Sequence, residues 1–233
     1  VVIAAKLGAL RERIARAAAR GGRGEQDVTV VAVSKTHAPE RVREAFEAGQ
    51  RVFGENRVQE AEAKAAALAP LREAGLRWHL VGHLQSNKAR KAAALFDLIH
   101  SVDGADLGRR LAQVGAETGR TVEALVQVDL AGEATKHGVP EADLMATLEA
   151  LRGLSSLRVL GLMVLPPLEE DPERTRPHFR RLRELRDRAR RDGLLAGSEL
   201  SMGMSHDFEV AIEEGATLVR IGTAIFGERG PDG

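Results

Sequence analysis

Three stretches of this chain set polar or cationic groups where an apolar run stops. The first is Val28-Thr29-Val30-Val31-Ala32-Val33-Ser34-Lys35-Thr36. Its β-branched run reads as a buried strand, and Lys35 stands where that strand reaches the surface. An amine in such a place can attack an aldehyde and form a Schiff base. It can equally lay its stem along apolar surface and reach water, and Lys35 by itself does not decide between the two. The second and third stretches are Ser201-Met202-Gly203-Met204-Ser205 and Arg220-Ile221-Gly222-Thr223. Each offers a hydroxyl, backbone N–H groups beside a glycine and a following helix start, a set that holds phosphate. Ser205 also suits the N-cap of the helix that follows it. Thr223 on the neighbouring glycine loop tips the balance toward phosphate. Arg220 lies two residues before Gly222, so both point to the same side of their strand. A guanidinium facing an interior needs a partner, and a ligand's ring nitrogen, a ligand carboxylate or an acid within the fold would each serve.

The elements that must position these groups alternate strictly. An amphipathic helix from Ile3 to Arg20 carries Leu7, Leu10, Ile14 and Ala17 on one face and stops at Gly21-Gly22. Strand signals then begin at residues 28, 51, 77, 98, 122, 159, 199 and 218, and a helical pattern follows each of the first seven. Asn56 opens one of these helices and Asp103 reads as the N-cap of another. Pro140 reads as the first turn of a third. Eight βα units imply a parallel sheet closed into a (β/α)8 TIM barrel with an extra N-terminal helix, one domain over residues 1–233. A doubly wound open sheet is the alternative, although no Gly-x-Gly-x-x-Gly fingerprint follows any strand. In a barrel the loops after the strands carry the chemistry. Those loops hold Ser34-Lys35-Thr36, Gly54-Glu55-Asn56, Gly82-His83, Ser101, Asp129 through Lys136, Met163, Ser201–Ser205 and Arg220–Thr223.

Composition narrows the class. The 34 basic and 34 acidic residues cancel, so no global field points to nucleic acid or an anionic membrane. With 0 Cys there is no disulfide scaffold, thiolate nucleophile or Cys-ligated zinc, and with 0 Tyr no phenol serves as acid, base or clamp. No apolar run reaches the length of a spanning helix and no signal-peptide pattern is present, so a soluble cytoplasmic protein is expected, although Val1 in place of Met implies absent leading residues.

Lysine, phosphate loops and arginine together describe a site for pyridoxal 5′-phosphate, which carries an aldehyde, a phosphate and a ring nitrogen. The blocks Val33-Ser34-Lys35-Thr36, Phe53-Gly54-Glu55-Asn56-Arg57-Val58-Gln59-Glu60 and Trp78-His79-Leu80-Val81-Gly82-His83-Leu84-Gln85-Ser86-Asn87-Lys88 resemble the pyridoxal phosphate homeostasis protein family. So do Gly161-Leu162-Met163, Leu200 through Phe208 and Val219 through Gly227, in the right order over residues 30–227. That family resembles the barrel domain of alanine racemase without its second domain. The resemblance implies Lys35 as the Schiff-base lysine, Ser205, Gly222 and Thr223 at the phosphate, and Arg220 at the pyridine nitrogen. It also implies Asn56, Met163 and Ser201 around the ring. Where the family often has a tyrosine after Glu-Asn, this chain has Arg57.

Two readings follow, beside a third in which the barrel holds a phosphate ligand unrelated to the vitamin. The first is a carrier that holds the cofactor reversibly on Lys35, takes part in vitamin B6 homeostasis with little or no catalysis, and passes the cofactor to dependent apo-enzymes. The second is an amino-acid racemase, which needs a second base on the opposite face of the ring; without tyrosine or cysteine only a histidine such as His83 is left. A monomer is expected, since the site closes within one subunit. His83 is either in the site or a packing or capping residue. His79 and His83, on a strand and its loop, make a poor zinc pair. The arginine-rich helix from Thr175 to Asp192 carries a buried stripe of Phe179, Leu182, Leu185 and Ala189 and reads as a solvated outer helix rather than a nucleic-acid surface. Lys136 could attract an anionic ligand.

Overall fold

The strands begin where Val, Ile, Leu and Phe cluster and end where Gly, Ser or a charged residue enters, and the computed structural model shows how they close. It describes residues 2–132 and 137–227. The strands are β1 (Thr29–Val33), β2 (Val52–Glu55), β3 (Arg77–Leu80), β4 (Leu98–Val102), β5 (Val122–Asp129), β6 (Val139–Pro140), β7 (Leu157–Val164), β8 (Glu199–Met204) and β9 (Leu218–Ile221). Every pairing is parallel. β1 pairs with both β2 and β9, and β4 with both β3 and β5, so eight strands form a closed ring and the open-sheet alternative falls. The two-residue β6 adds onto the end of β5.

Alternation divides the core. Val31, Val81, Leu98, Leu125, Met163 and Leu218 pack together inside the ring. The larger cluster lies between the sheet and the helices and includes Phe53, Trp78, Phe179 and Phe208. Helix α1 (Val2–Arg20) buries Ile3, Leu7, Leu10, Ile14 and Ala17. Its Arg13 guanidinium donates to Glu209 at 2.9 Å from the outer helix α9 (Phe208–Glu213). The other helices are α2 (Pro39–Glu47), α3 (Val58–Ala67), α4 (Ala69–Glu73), α5 (Ala89–Leu95), α6 (Ala105–Thr118), α7 (Leu144–Arg152), α8 (Arg176–Arg191) and α10 (Thr223–Phe226). On α8 the buried stripe is the expected one, and four of its arginines are paired: Arg176, Arg180 and Arg183 all engage Glu214, while Arg181 reaches Glu141 and Glu184.

Several helix starts differ from the sequence reading. α3 begins at Val58, which leaves Asn56 in the loop after β2. Gly104, not Asp103, precedes α6, so the Asp103 carboxylate is available to another partner. α9 begins at Phe208 with Asp207 before it, and Ser205 is not its cap. Asp207 instead accepts from the Met204 N–H at 2.7 Å and closes the loop after β8. Pro140 belongs to β6, and α7 starts later.

Gly161 permits the closest strand approach. A Cβ there would stand 1.9 Å from the Glu199 carbonyl oxygen of β8. Gly161→Ala should therefore lower stability by about 2–4 kcal/mol through forced displacement of β8. A denaturant midpoint unchanged from the parent protein would contradict this.

Candidate functional site

Loops at the C-terminal end of the ring enclose a cavity of about 620 Å³. Lys35, Asn56, Ser205, Arg220, Gly222 and Thr223 all line it. Met163 and Ser201, also expected around a ring, do not. Both are fully buried, Met163 among the interior apolar residues and Ser201 behind Arg220. Their side chains face inward as alternation requires, but neither reaches the cavity, whereas Gln127, paired in register with Met163, does.

Lys35 enters the cavity from the end of β1, with no hydrogen bond or ion pair to any described residue. Beside it, Thr36 has φ 65°, the only positive φ at a described non-glycine residue. A β-branched residue in that region is strained, and the neighbourhood must hold it there.

Arg220 forms the floor and is buried without a carboxylate partner among the described residues. Its Nη1 donates to Ser201 Oγ at 2.6 Å and its Nη2 to the Val164 carbonyl at 2.8 Å. Burial pushes its pKa down to about 10, offset in part by Asp207. Behind it the bonds continue. Ser201 Oγ lies 2.7 Å from His100 Nδ1, and His100 Nε2 lies 2.9 Å from His79 Nδ1. A guanidinium can only donate, so Ser201 accepts from it and passes its own proton toward His100 Nδ1. His100 then donates from Nε2 to His79. One direction and one tautomer satisfy the whole chain, with both imidazoles neutral. Burial drives both toward that state, lowering His79 to about 4 and His100 well below its ordinary value. Sequence reading passed over His100; its only signal was a polar residue inside Leu98-Ile99-His100-Ser101-Val102.

The opposite wall is built from the loops after β8 and β9. The hydroxyls of Ser205 and Thr223 bond to no described residue. The first N–H groups of a helix have no intrahelical acceptor, and in α10 they belong to Thr223 and the residue after it. At the rim, His83 Nδ1 lies 3.2 Å from Asp103 and stacks on His137 with ring centroids 3.7 Å apart. This pairing, hidden from sequence because it joins three loops, places His83 in the cavity wall as well. It also separates His83 from His79, which is sealed against His100. Lys136, considered above as an anion-attracting residue, lies outside the described residues.

A free amine, a buried guanidinium lacking an acid, and two unpartnered hydroxyls beside glycine backbone suit one ligand. Its requirements are an aldehyde, a ring lone pair and a phosphate, those of pyridoxal 5′-phosphate.

Residues 5–230 match the family described as alanine racemase, N-terminal domain. A pyridoxal phosphate homeostasis protein of Aquifex aeolicus is 46% identical over 224 residues, covering 96% of this chain and 97% of the relative. A protein of the same name from Escherichia coli K12 is 39% identical over 235 residues, covering 97% of each. The structure of PipY from Synechococcus elongatus with pyridoxal phosphate bound superposes with a TM-score of 0.86 at 43% identity, covering 97% of this chain and 100% of that one. Clostridium difficile alanine racemase shares the fold, with a TM-score of 0.67 at 15% identity; the match covers 88% of this chain and 56% of the racemase.

Proposed function

Because this chain belongs to the pyridoxal phosphate homeostasis protein family, we propose that it binds pyridoxal 5′-phosphate as a Schiff base on Lys35 and carries it reversibly, with little or no catalysis. The observation that supports this best is the shared cavity of Lys35, Arg220, Ser205 and Thr223. When bound, the cofactor supplies an electrophilic aldehyde carbon and, in enzymes, an electron sink. Here Lys35 Nζ would bond to that carbon with loss of water. Ser205, Gly222 and Thr223 would hold the phosphate, and Asn56 would flank the ring. Arg220 presents only donors, so a ring nitrogen facing it accepts a hydrogen bond and receives no proton. An unprotonated ring withdraws electrons weakly, which favours carriage over chemistry. With 0 Tyr in the chain, a racemase would lack its usual second base. The same reading has the protein acting as a cytoplasmic monomer that hands the cofactor to dependent apo-enzymes.

Adding pyridoxal phosphate to the purified protein should raise an absorbance band near the visible edge; its absence would overturn the reading, as would sustained racemisation of L-alanine. Ser205→Ala with Thr223→Ala removes two charge-assisted bonds and should speed loss of pyridoxal phosphate by about 100-fold. Pyridoxal, which has no phosphate, should be captured as before. Equal retention of the phosphorylated form by the double variant would exclude these hydroxyls from the phosphate site.

A further inference from the structure

We propose that Glu55, Glu60 and Lys64 are positioning residues for Lys35: a clamp behind β1 that ties down the peptide group on each side of it. The inference rests on Lys35 being the amine that takes the aldehyde. None of the three reaches into the cavity wall described above.

Lys64 lies on α3, on the helix-facing side of the sheet, and is 4% exposed. Instead of reaching water it turns inward, and its three ammonium protons match three acceptors. Nζ lies 2.6 Å from the Ser34 carbonyl, 2.7 Å from Glu55 Oε1 and 2.8 Å from Glu60 Oε1. Glu55, at the end of β2 and wholly buried, also accepts from Ser34 Oγ at 2.5 Å. Glu60, one helical turn before Lys64, accepts the Thr36 N–H at 2.5 Å.

The pattern acquires meaning from which backbone atoms are held. The Ser34 carbonyl belongs to the peptide before Lys35 and the Thr36 N–H to the peptide after it. Fixing both fixes the direction of the Lys35 Cα–Cβ bond, leaving only the side-chain torsions free. The Thr36 bond also answers the strain. A left-handed backbone at a β-branched residue persists only where surroundings over-determine it. Glu60 supplies that constraint and Lys64 holds Glu60 in place. A buried ion cluster serving stability alone has no need to grip a strained residue. Glu55 reinforces the arrangement at some expense: its Oε2 has no partner, and burial pushes its carboxyl up despite Lys64.

The test uses Glu60→Ala, Glu60→Gln and Thr36→Gly, since the Glu60 side chain is partly exposed and the fold should tolerate its loss. Two quantities are read besides thermal melting. One is hydrogen exchange at the Thr36 amide in protein without cofactor; the other is the rate at which bound pyridoxal phosphate is lost to a hydroxylamine trap. Glu60→Ala should speed exchange at Thr36 and quicken cofactor loss about tenfold, the worth of one charged hydrogen bond. Glu60→Gln keeps an oxygen for the Thr36 N–H and should restore most of the retention. Thr36→Gly in the Glu60→Ala background should do the same, because glycine adopts this φ freely. Unchanged retention in Glu60→Ala, or a loss that follows melting temperature and is not rescued by Thr36→Gly, would overturn the clamp. If the parent protein captures no pyridoxal phosphate, the functional reading has failed on its own. Exchange at Thr36 then still decides the clamp, and equal rates in the parent protein and Glu60→Ala would exclude it.

Discussion

Lys35→Met should abolish the absorbance band and the borohydride-stable adduct completely. Lys35 is the only lysine among the described residues lining the cavity. Lys64, behind β1, has all three protons engaged. Methionine is close to the lysine stem in length and apolar character, so the fold should be retained. The phosphate loops and Arg220 would remain, and the variant should still bind pyridoxal phosphate weakly and without a covalent bond. Peptide mapping after borohydride reduction should find the label on Lys35 in the parent protein and nowhere in Lys35→Met. Label on another lysine in the parent protein would overturn the assignment and with it the positioning argument.

Acid should destabilise the protein through His79 and His100. The folded-state pKa of His79 is lowered from 6.5 to about 4, so between those values the unfolded chain binds the extra proton. Stability therefore rises with pH across this window, is fully present above 6.5 and is progressively lost as pH falls toward 4. His79 alone should cost roughly 3 kcal/mol over that range. His100 is lowered further and adds in the same direction. The arginine-paired carboxylates Glu209, Glu213 and Glu214 are held below their ordinary 4.5, so their contribution is lost at lower pH still and does not mask the histidines. Urea midpoints should fall between pH 7 and pH 4.5, and His79→Gln should flatten that fall. Glu55, whose carboxyl burial pushes up, works against this fall, so the comparison with the variant decides: an equal fall in the parent protein and His79→Gln would contradict the neutral, buried assignment. Protonation also breaks the floor of the cavity. A charged His100 cannot accept from Ser201, and it adds a second cation beside Arg220.

The ring of strands was legible because β-branched runs, glycine stops and helical periodicity are local properties, repeated often enough to be counted. Lys35, Arg220 and the two hydroxyl loops were legible for a related reason: each stands at the end of such a run. Reach was not. Met163 and Ser201 face inward as their positions require, yet whether an inward side chain meets the cavity depends on its length and on what packs over it from strands distant in sequence: Gln127, level with Met163, gets there. Lys64 had the spacing of an ordinary surface Glu–Lys pair with Glu60, and only the packing of α3 against β1 and β2 turns it inside. Thr36 carried no signal, since its backbone conformation is imposed by a carboxylate 24 residues away. Asp103 looked like a cap because caps are decided by one residue's offset, and Gly104 took that place.

The one-way order of donors from Arg220 to His79 makes the far imidazole a reporter. Each member receives from one neighbour and donates to the next, so polarisation at one end is passed along the row. A lone pair set before Arg220 draws on its protons, loosens its hold on Ser201 and alters what His100 offers to His79. The nitrogen resonances of His79, buried and outside the cavity lining, should thus report whether the ring site is filled. Occupancy should then be readable from within the barrel interior, with no probe in the site.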